Sequence, residues 1–342
     1  MSNHIEIINC KTPIEFLEIL RPSNEKWKDG IWIYRGHSNV DYKLIPTLFR
    51  EPASNPLILH FQKRLSENIR YSGEKRDSIR MQILNNQDPQ WFKAILYYNI
   101  ETNLLAEFSR RANNAGLVIP ELFSMFSNLT NININSIFPI LQLDEHGRSN
   151  IVKVDAPHSK PTLTSSLAQH HGIPTRLLDF TTDPLRALLF ATANNTSDFI
   201  CVWAINPSIF NTSSIKYWKQ PYNSLGKDVD NQLYSEYGIF EAPNFSNNYL
   251  QQQRGLFLYP KFPNEYFGKE GKFPDIIDFI NAMKDENGYP ENSSYRPLVK
   301  ITLPRDQVAG LKIKIKKEGI TLSRLMPSYD NVVNEMLEDY KI

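Results

Sequence analysis

Three short groups of polar residues interrupt apolar stretches of this 342-residue sequence, and each holds side chains able to bind a ligand or move a proton. The first group is Tyr34-Arg35-Gly36, in which the planar guanidinium of Arg35 offers five donors suited to phosphate or carboxylate. Gly36 lacks a side chain, so a ligand or another backbone segment can approach it closely. The same residues also fit an arginine that pairs with a buried carboxylate.

The second group runs from Gln169 to Thr181 and contains two histidines, an arginine and an aspartate. His170 can donate, accept or titrate near neutral pH, and it can equally be a hydrogen-bonded core histidine. Arg176 and Asp179 are three positions apart, so they can act on a ligand or pair with each other. We predict no metal site, because adjacent histidines rarely bind one ion and no cysteine or second histidine stands at zinc-site spacing.

The third group is Gln251-Gln252-Gln253-Arg254-Gly255, directly before an apolar run. Amide side chains can hydrogen-bond ribose hydroxyls, although a polar turn before a strand explains the same residues. The sequence has no glycine-rich phosphate loop and no serine-nucleophile motif. The chemistry must therefore come from groups that lie far apart in the chain.

Predicted strands and helices flank these groups. The run Ile31-Trp32-Ile33-Tyr34 predicts a strand that ends at the first group. The second group lies between a helix or turn that begins at Leu163 and a buried helix from Pro184 to Asn194, capped by Asp183. Phe199–Ile205 predicts a strand covered on both faces.

The rest of the chain adds two strands and several helices. Strands are predicted at Gly255–Tyr259 and Leu298–Leu303, and a helix after Pro304 that Gly319 ends. A helix is predicted from Thr12 to Leu20, with Thr12 and Glu15 in a capping box. Helices from Pro56 to Arg70 and from Pro89 to just before Gly116 make 51–160 a mostly helical insertion.

These elements predict an α+β fold in which residues 1–50 and 161–342 form one core interrupted by the insertion 51–160. Basic side chains of the insertion, among them Lys63, Arg110 and Arg111, predict either solvated helix faces or contact with phosphate or an acidic partner.

Composition sets further limits. The formal charge is 38 − 37 = +1, which argues against a polybasic nucleic-acid binder. Two cysteines, Cys10 and Cys201, exclude a disulfide scaffold. The sequence shows no signal peptide and no run of roughly 20 apolar residues, so we expect a cytoplasmic protein that does not contact membranes.

Together, the three groups resemble the FRG family, which is named for an aromatic-Arg-Gly triplet like Tyr34-Arg35-Gly36. The family hallmark LAQHxGxPTRLLDxTxxPLxALxFA is similar to Leu167–Ala191, and a later QxGxF element is similar to Gln253, Gly255 and Phe257. The resemblance covers roughly residues 31–50 and 163–342.

This resemblance implies a bacterial or phage-associated protein and a motif layout similar to that of ADP-ribosyltransferases, built on a mixed or split β-sheet core. In that plan an early-strand residue holds NAD and a late Glu or Gln orients the ribose or the nucleophile. NAD would be the substrate, no metal would be needed, and nicotinamide would be displaced through an oxocarbenium-like state.

Carried over to this chain, the resemblance implies Arg35, His170 and Gln253 as catalytic residues. It also implies that NAD is bound by a second set of residues, which shares Arg35 and His170 with the catalytic residues. The set comprises Tyr34, Arg35, Gly36, His170, Thr175, Arg176 and Asp179.

The resemblance further implies a toxin or phage-defence effector that modifies a protein or nucleic-acid target, with an antitoxin or chaperone as partner. Two alternatives stay open. One is a nucleotide- or RNA-binding module that senses or recruits without turnover. The other is a nucleotide or RNA hydrolase with His170 as general base.

Overall fold

Helices and strands are mixed along the chain in the computed structural model, as the sequence predicts. The structure describes the backbone of residues 5–28, 30–50, 55–71, 89–120, 141–143, 149–151, 161–193, 197–210, 237–241, 255–261, 263, 267, 271–273, 275–282, 296–325 and 327–340. Side chains are described for these residues except 65–71, 89–96, 98–99, 141–143, 149–151, 279 and 281–282.

Nine strands occur in the described residues, and seven of them form one mixed sheet. They are β1 (Ile5–Asn9), β2 (Ile33–His37), β3 (Leu141–Leu143), β4 (Ser149–Ile151), β5 (Leu178–Thr181), β6 (Phe199–Ile205), β7 (Tyr237–Phe240), β8 (Gly255–Pro260) and β9 (Leu298–Pro304). The order in the large sheet is β1-β9-β6-β2-β5-β8-β7, and β3 pairs with β4 in a separate hairpin. The β1–β9 pair is parallel, whereas β2–β5, β2–β6 and β6–β9 are antiparallel.

The α-helices of the described residues are numbered here in chain order. They are α1 (Pro13–Leu20), α2 (Pro56–Tyr71), α3 (Pro89–Asn114), α4 (Leu163–His170), α5 (Pro184–Ala191), α6 (Ile276–Ala282), α7 (Val308–Lys317), α8 (Leu322–Leu325) and α9 (Tyr329–Tyr340). Short 3₁₀ turns lie at Glu25–Trp27, Thr47–Phe49, Pro207–Phe210 and Arg305–Gln307. No helix in this part of the chain is both long and apolar enough to cross a membrane.

The predicted helices are confirmed, and their ends have the expected causes. Thr12 accepts from the Glu15 N–H at 3.2 Å to cap α1, although the Glu15 carboxylate accepts from Lys11 rather than from the cap itself. Gly116 and Gly319 follow α3 and α7 with φ of +72° and +76°, which glycine adopts without strain.

Strand β2 differs from its prediction because it includes the polar triplet instead of ending at it. Arg35, Gly36 and His37 pair in register with Trp203, Val202 and Cys201 of β6. Polar side chains do not interrupt a strand when its backbone is paired on both sides, and β2 lies between β6 and β5.

The chain divides into two compact units. Unit 1 comprises Met1–Leu44, Asp179–Leu258 and Ile276–Ile342, and unit 2 comprises Ile45–Leu178 and Tyr259–Asp275.

The core of unit 1 lies between one face of the large sheet and helices α1, α5 and α7. Alternate residues of β6 and β9 point into it, as the two-residue period of a strand requires. Both cysteines are buried, Cys10 in this core and Cys201 on β6. The core contains Phe16, Leu17, Leu20, Trp27, Tyr34, Ala187, Leu188, Ala191, Ile200, Val202, Ala204, Val299, Ile301, Leu303, Val308, Leu311 and Ile315.

The core of unit 2 is built from α2, α3 and an aromatic cluster. Phe273 stacks on Phe49 with ring centroids 4.3 Å apart and meets Tyr97 edge-on at 4.6 Å. The described core around these rings is completed by Leu48, Ile58, Phe61, Ile100, Leu104 and Phe267.

Gly36 is the point at which helix α5 comes closest to the sheet. A Cβ atom built on Gly36 would lie 1.8 Å from the Ala187 carbonyl oxygen and 2.6 Å from the Ala191 nitrogen. These atoms belong to helix backbone, which cannot turn away as a side chain can. Ala187 and Ala191 are four residues apart, so they lie on the same side of α5 and add little bulk there. Only glycine fits at this position of β2.

Replacing Gly36 with alanine is expected to destabilise unit 1 strongly. The new methyl group must push α5 off the sheet, so the loss should exceed the roughly 1–3 kcal/mol typical of overpacking. Thermal and urea unfolding measure the change. Gly310→Ala is the matched control, because its Cβ would lie 3.5 Å from the Pro13 ring, and alanine favours a helix by up to about 1 kcal/mol. Equal stability of the two variants would contradict this packing.

Candidate functional site

Arg35 is held in place on β2 by contacts within unit 1. Its Nη1 donates to the Asp179 carbonyl oxygen at 2.6 Å and lies 3.5 Å from the Asp179 carboxylate. Its Nε donates to the His37 Nε2 at 3.0 Å. The Arg35 side chain is 16% exposed and that of Asp179 is 56% exposed. The guanidinium is therefore pre-oriented but still within reach of solvent.

The polar side chains of β2 lie on the sheet face opposite the core. Tyr34 points into the core, so alternation places Arg35 and His37 on the other face. His37 is buried, and its ring meets Tyr42 edge-on at 5.9 Å. Because the His37 Nε2 accepts a hydrogen bond from Arg35, this ring must be neutral with its proton on Nδ1.

Two further side chains extend this polar face towards β9. Trp203 is the register partner of Arg35 on β6, and Lys300 is the register partner of Trp203 on β9. The Lys300 ammonium lies 4.9 Å from the Trp203 ring centroid and donates to the Val40 carbonyl at 2.8 Å. Arg35 and Lys300 place two cationic groups on this face, and the Asp179 carboxylate lies beside Arg35.

Tyr34 and Gly36 lie on the face of the sheet that packs against the core of unit 1. Burial raises the pKa of the Tyr34 hydroxyl above its usual range, and the Asp183 carboxylate adds to this effect. The Tyr34 ring meets Trp27 edge-on at 5.6 Å. The sequence left open whether a ligand or another backbone segment lies close to Gly36. The structure shows that the backbone of α5 lies there.

Arg176 lies in unit 2, where it forms a buried ion pair with Glu101 of α3. Its Nε donates to the Glu101 carboxylate at 2.6 Å, and its backbone N–H donates to the other carboxylate oxygen at 3.1 Å. A second guanidinium nitrogen also contacts Glu101, and both side chains are more than nine-tenths buried. The sequence left open a ligand or mutual pairing for Arg176 and Asp179. In the structure Arg176 pairs with Glu101 and Asp179 lies beside Arg35, and neither partner was predicted.

Tyr259 lies near this ion pair within unit 2. Burial raises the pKa of the Tyr259 hydroxyl, and the positive charge of Arg176 opposes part of that rise. The Arg176 guanidinium therefore belongs to the buried interior of unit 2, where it pairs with Glu101.

Thr175 and the end of helix α4 also serve the fold of unit 2. The buried Thr175 hydroxyl contacts the Gln169 amide and accepts from the Leu177 N–H at 3.2 Å. Gly172, with φ of +84°, ends α4 by donating to the Gln169 carbonyl at 2.9 Å.

His170 is the last residue of α4 and is half-buried. Its ring meets His171 edge-on with centroids 5.1 Å apart. His171 is exposed and caps the helix, and its N–H donates to the Leu167 and Ala168 carbonyls.

The predicted site residues thus fall into three groups. Tyr34, Arg35, Gly36 and Asp179 belong to unit 1, where Arg35 and Asp179 are in contact. His170, Thr175 and Arg176 belong to unit 2. Gln253 lies outside the described residues. The joint role of Arg35, His170 and Gln253 stays a prediction.

Two important residues were missed in the sequence. His37 stands two positions after Arg35, and on a strand that spacing places both side chains on one face. Glu101 is a carboxylate between the buried Ile100 and Leu104 of α3, so its position on an apolar helix face was the available signal. Among the described residues, no cluster of histidine, cysteine or acidic side chains could hold a metal ion.

The sheet and the Arg35 site define a mixed α/β protein with a polar sheet face in unit 1. The family model of the FRG domain matches residues 138–199, which include α4, β5 and α5. This match bears out the resemblance for the hallmark segment Leu167–Ala191, whereas Tyr34-Arg35-Gly36 and the element around Gln253 lie outside the matched residues. No curated protein and no solved structure matched the chain.

Removing one partner of the Arg176–Glu101 pair is expected to destabilise unit 2. Glu101→Ala leaves a buried guanidinium without its carboxylate, which typically costs about 3–5 kcal/mol. The double variant Glu101→Leu with Arg176→Met should recover most of that loss, because no buried charge remains. Urea unfolding of wild type, Glu101→Leu, Arg176→Met and the double variant completes the cycle and gives the coupling.

Glu107→Ala is the matched control on the same helix. Glu107 accepts from Arg110 at 2.7 Å and from Arg111 at 2.7 Å, but its side chain is about one-third exposed. We expect a clearly smaller loss, since water screens exposed pairs. Similar losses for Glu101→Ala and Glu107→Ala would contradict a structural role for the buried pair.

Proposed function

We propose that this FRG-domain protein is an ADP-ribosyltransferase-like enzyme that uses NAD and modifies a protein or nucleic-acid target. The observation that carries the proposal is Arg35, a fork-shaped cation held in fixed geometry at a solvent-accessible point of a polar sheet face. The family resemblance gives Arg35 the role of holding NAD. The mixed sheet is compatible with the ADP-ribosyltransferase plan.

The contacts of Arg35 suit the binding of a phosphate. The short bond to the Asp179 carbonyl fixes the guanidinium, whereas the Asp179 carboxylate is more distant and mostly exposed. A pyrophosphate can therefore replace the carboxylate without loss of the backbone anchor. Charge-assisted, two-pronged contacts of this kind are the strong ones in anion recognition.

In the proposed reaction the bond between the ribose C1′ and the nicotinamide nitrogen breaks, and its electron pair leaves with nicotinamide. A nucleophile of the target then forms the new bond to C1′ and gives up its proton to solvent. The enzyme has to orient NAD and stabilise charge more than supply a strong base. Arg35 would bind the phosphates, His170 would hydrogen-bond a ribose, and Gln253 would orient the ribose or the nucleophile. A toxin or phage-defence effector, with an antitoxin or chaperone partner, is the biological role that the resemblance favours.

A nucleotide-binding module without turnover is the second candidate. The specific observation in its favour is that Arg176, one of the residues assigned to NAD, is buried against Glu101. In such a module Arg35 binds the nucleotide, but no group is transferred from it.

Arg35→Ala is expected to lower transfer of labelled ADP-ribose from NAD to cell-extract targets by about a hundredfold or more, because a preorganised charge contact is lost. Nicotinamide release, measured by mass spectrometry, should fall in parallel. Arg21→Ala is the matched control, since Arg21 pairs with Glu18 and Glu318 at the surface of unit 1. Saturable NAD binding without nicotinamide release would favour the second candidate, and transfer unaffected by Arg35→Ala would eliminate this site.

His37 is expected to act as a positioning residue for Arg35. His37→Ala removes the acceptor of the Arg35 Nε and should lower kcat/KM by about tenfold, whereas the amide oxygen of His37→Gln can accept the same bond and should retain most activity. Equal activity of the alanine and glutamine variants would argue against positioning.

A further inference from the structure

Tyr42 lies on the loop that follows strand β2, in the same unit as Arg35. It is 50% exposed, so a large part of an aromatic ring faces water. A ligand that covers such a ring removes apolar surface from water, which favours binding. The reaction proposed above gives Tyr42 no role.

The loop around Tyr42 is fixed by hydrogen bonds to two strands of the large sheet. The Val40 N–H donates to the Phe199 carbonyl at 3.1 Å, and the Val40 carbonyl accepts from the Lys300 ammonium at 2.8 Å. The Tyr42 N–H donates to the Asn39 carbonyl at 3.2 Å, which closes a turn. Because its backbone is already ordered, Tyr42 loses less conformational freedom when a ligand binds than a residue on an unanchored loop would.

The imidazole of His37 stands between the Tyr42 ring and the Arg35 guanidinium. The His37 Nε2 accepts from the Arg35 Nε at 3.0 Å, and the His37 and Tyr42 ring centroids lie 5.9 Å apart at an interplanar angle of 73°. Two rings that meet edge-on cannot cover both faces of each other, so His37 leaves at least one face of Tyr42 uncovered. A cation that suits phosphate and a ring that suits a planar group are thus one side chain apart.

A nucleotide combines the two chemical features that this pair of side chains can recognise. Its phosphates match the guanidinium fork of Arg35, and its base offers a planar face on which an aromatic side chain can stack. An inorganic anion would gain nothing from Tyr42, and an uncharged aromatic ligand would gain nothing from Arg35. A ligand that carries both a phosphate and a base uses both residues.

We propose that Tyr42 stacks on the base of the nucleotide whose phosphates bind Arg35. The inference rests on the proposed function for the phosphate contact, and it adds a binding residue for the base. NAD has two such bases, adenine and nicotinamide, and each offers the planar face that a tyrosine ring requires.

Ligand titrations followed by proton and phosphorus NMR test the proposal with ADP, nicotinamide mononucleotide and inorganic pyrophosphate as probes. Tyr42→Ala should raise the dissociation constant of at least one of the two nucleotides about tenfold through loss of stacking, and should leave that of pyrophosphate unchanged. The nucleotide that is affected identifies the base. Tyr42→Phe keeps the ring and should bind like wild type. Tyr329→Ala is the matched control, because Tyr329 is 92% exposed on α9 and should change no dissociation constant.

Three results would overturn the stacking role of Tyr42. They are an equal loss for pyrophosphate and the nucleotides in Tyr42→Ala, no loss for either nucleotide, and a wild type that binds neither nucleotide. Thermal unfolding checks that each variant keeps its fold.

Nicotinamide release from NAD separates this inference from the proposed function. Release by wild type, together with nucleotide binding that Tyr42→Ala leaves unchanged, would contradict the stacking role alone. Nucleotide binding that depends on Tyr42 without any release would support the stacking role and contradict group transfer.

Discussion

The close approach of helix α5 to strand β2 at Gly36 is the constraint on which the site in unit 1 depends. The backbone of α5 occupies the space in which any side chain at this position would lie. Packing on the core face therefore fixes β2, and the fixed strand determines where Arg35 and His37 stand on the opposite face. Gly36 of the Tyr34-Arg35-Gly36 triplet is therefore required for packing, although the triplet resembles a ligand-binding motif.

The same reasoning applies to the long hallmark segment. Arg176 neutralises Glu101 in the interior of unit 2, and Gly172 ends α4. Asp183 caps α5 by accepting from the Leu185 N–H at 3.0 Å and pairs with Arg186. These polar residues are therefore accounted for by structural roles, namely ion pairing, helix termination and helix capping. Asp179 differs, because its carboxylate is exposed beside Arg35.

Local signals in the sequence were sufficient for α1 to α5, for α7 and for the long apolar strands, whereas α6, α8 and α9 were not predicted. Caps, prolines and terminal glycines act within a few residues, so α1, α3, α5 and α7 could be predicted with their causes. The strands β1, β3, β4, β5 and β7 were not predicted, because each has only three to five residues and gives too short a pattern to recognise.

The candidate site was also only partly predictable from local signals in the sequence. Arg35 and Asp179 were identified by residue type, but their contact spans 144 positions and could not be read locally. On α3, Leu105 and Phe108 are half-buried, whereas Ile100 and Leu104 are buried. Glu101 lies between these two residues, and its pair with Arg176 helps set the rotation of the helix.

The buried positions of Cys10 and Cys201 have a practical consequence. Burial raises the pKa of the Cys10 thiol to about 11, with a further contribution from Glu15, and raises that of Cys201 to about 12. Since the thiolate is the reactive form, native protein at neutral pH should hardly react with maleimides at either residue. These are the only cysteines in the chain. A cysteine introduced at an exposed position would then be the single fast-reacting thiol, so a fluorophore or spin label can be attached there without altering the natural residues.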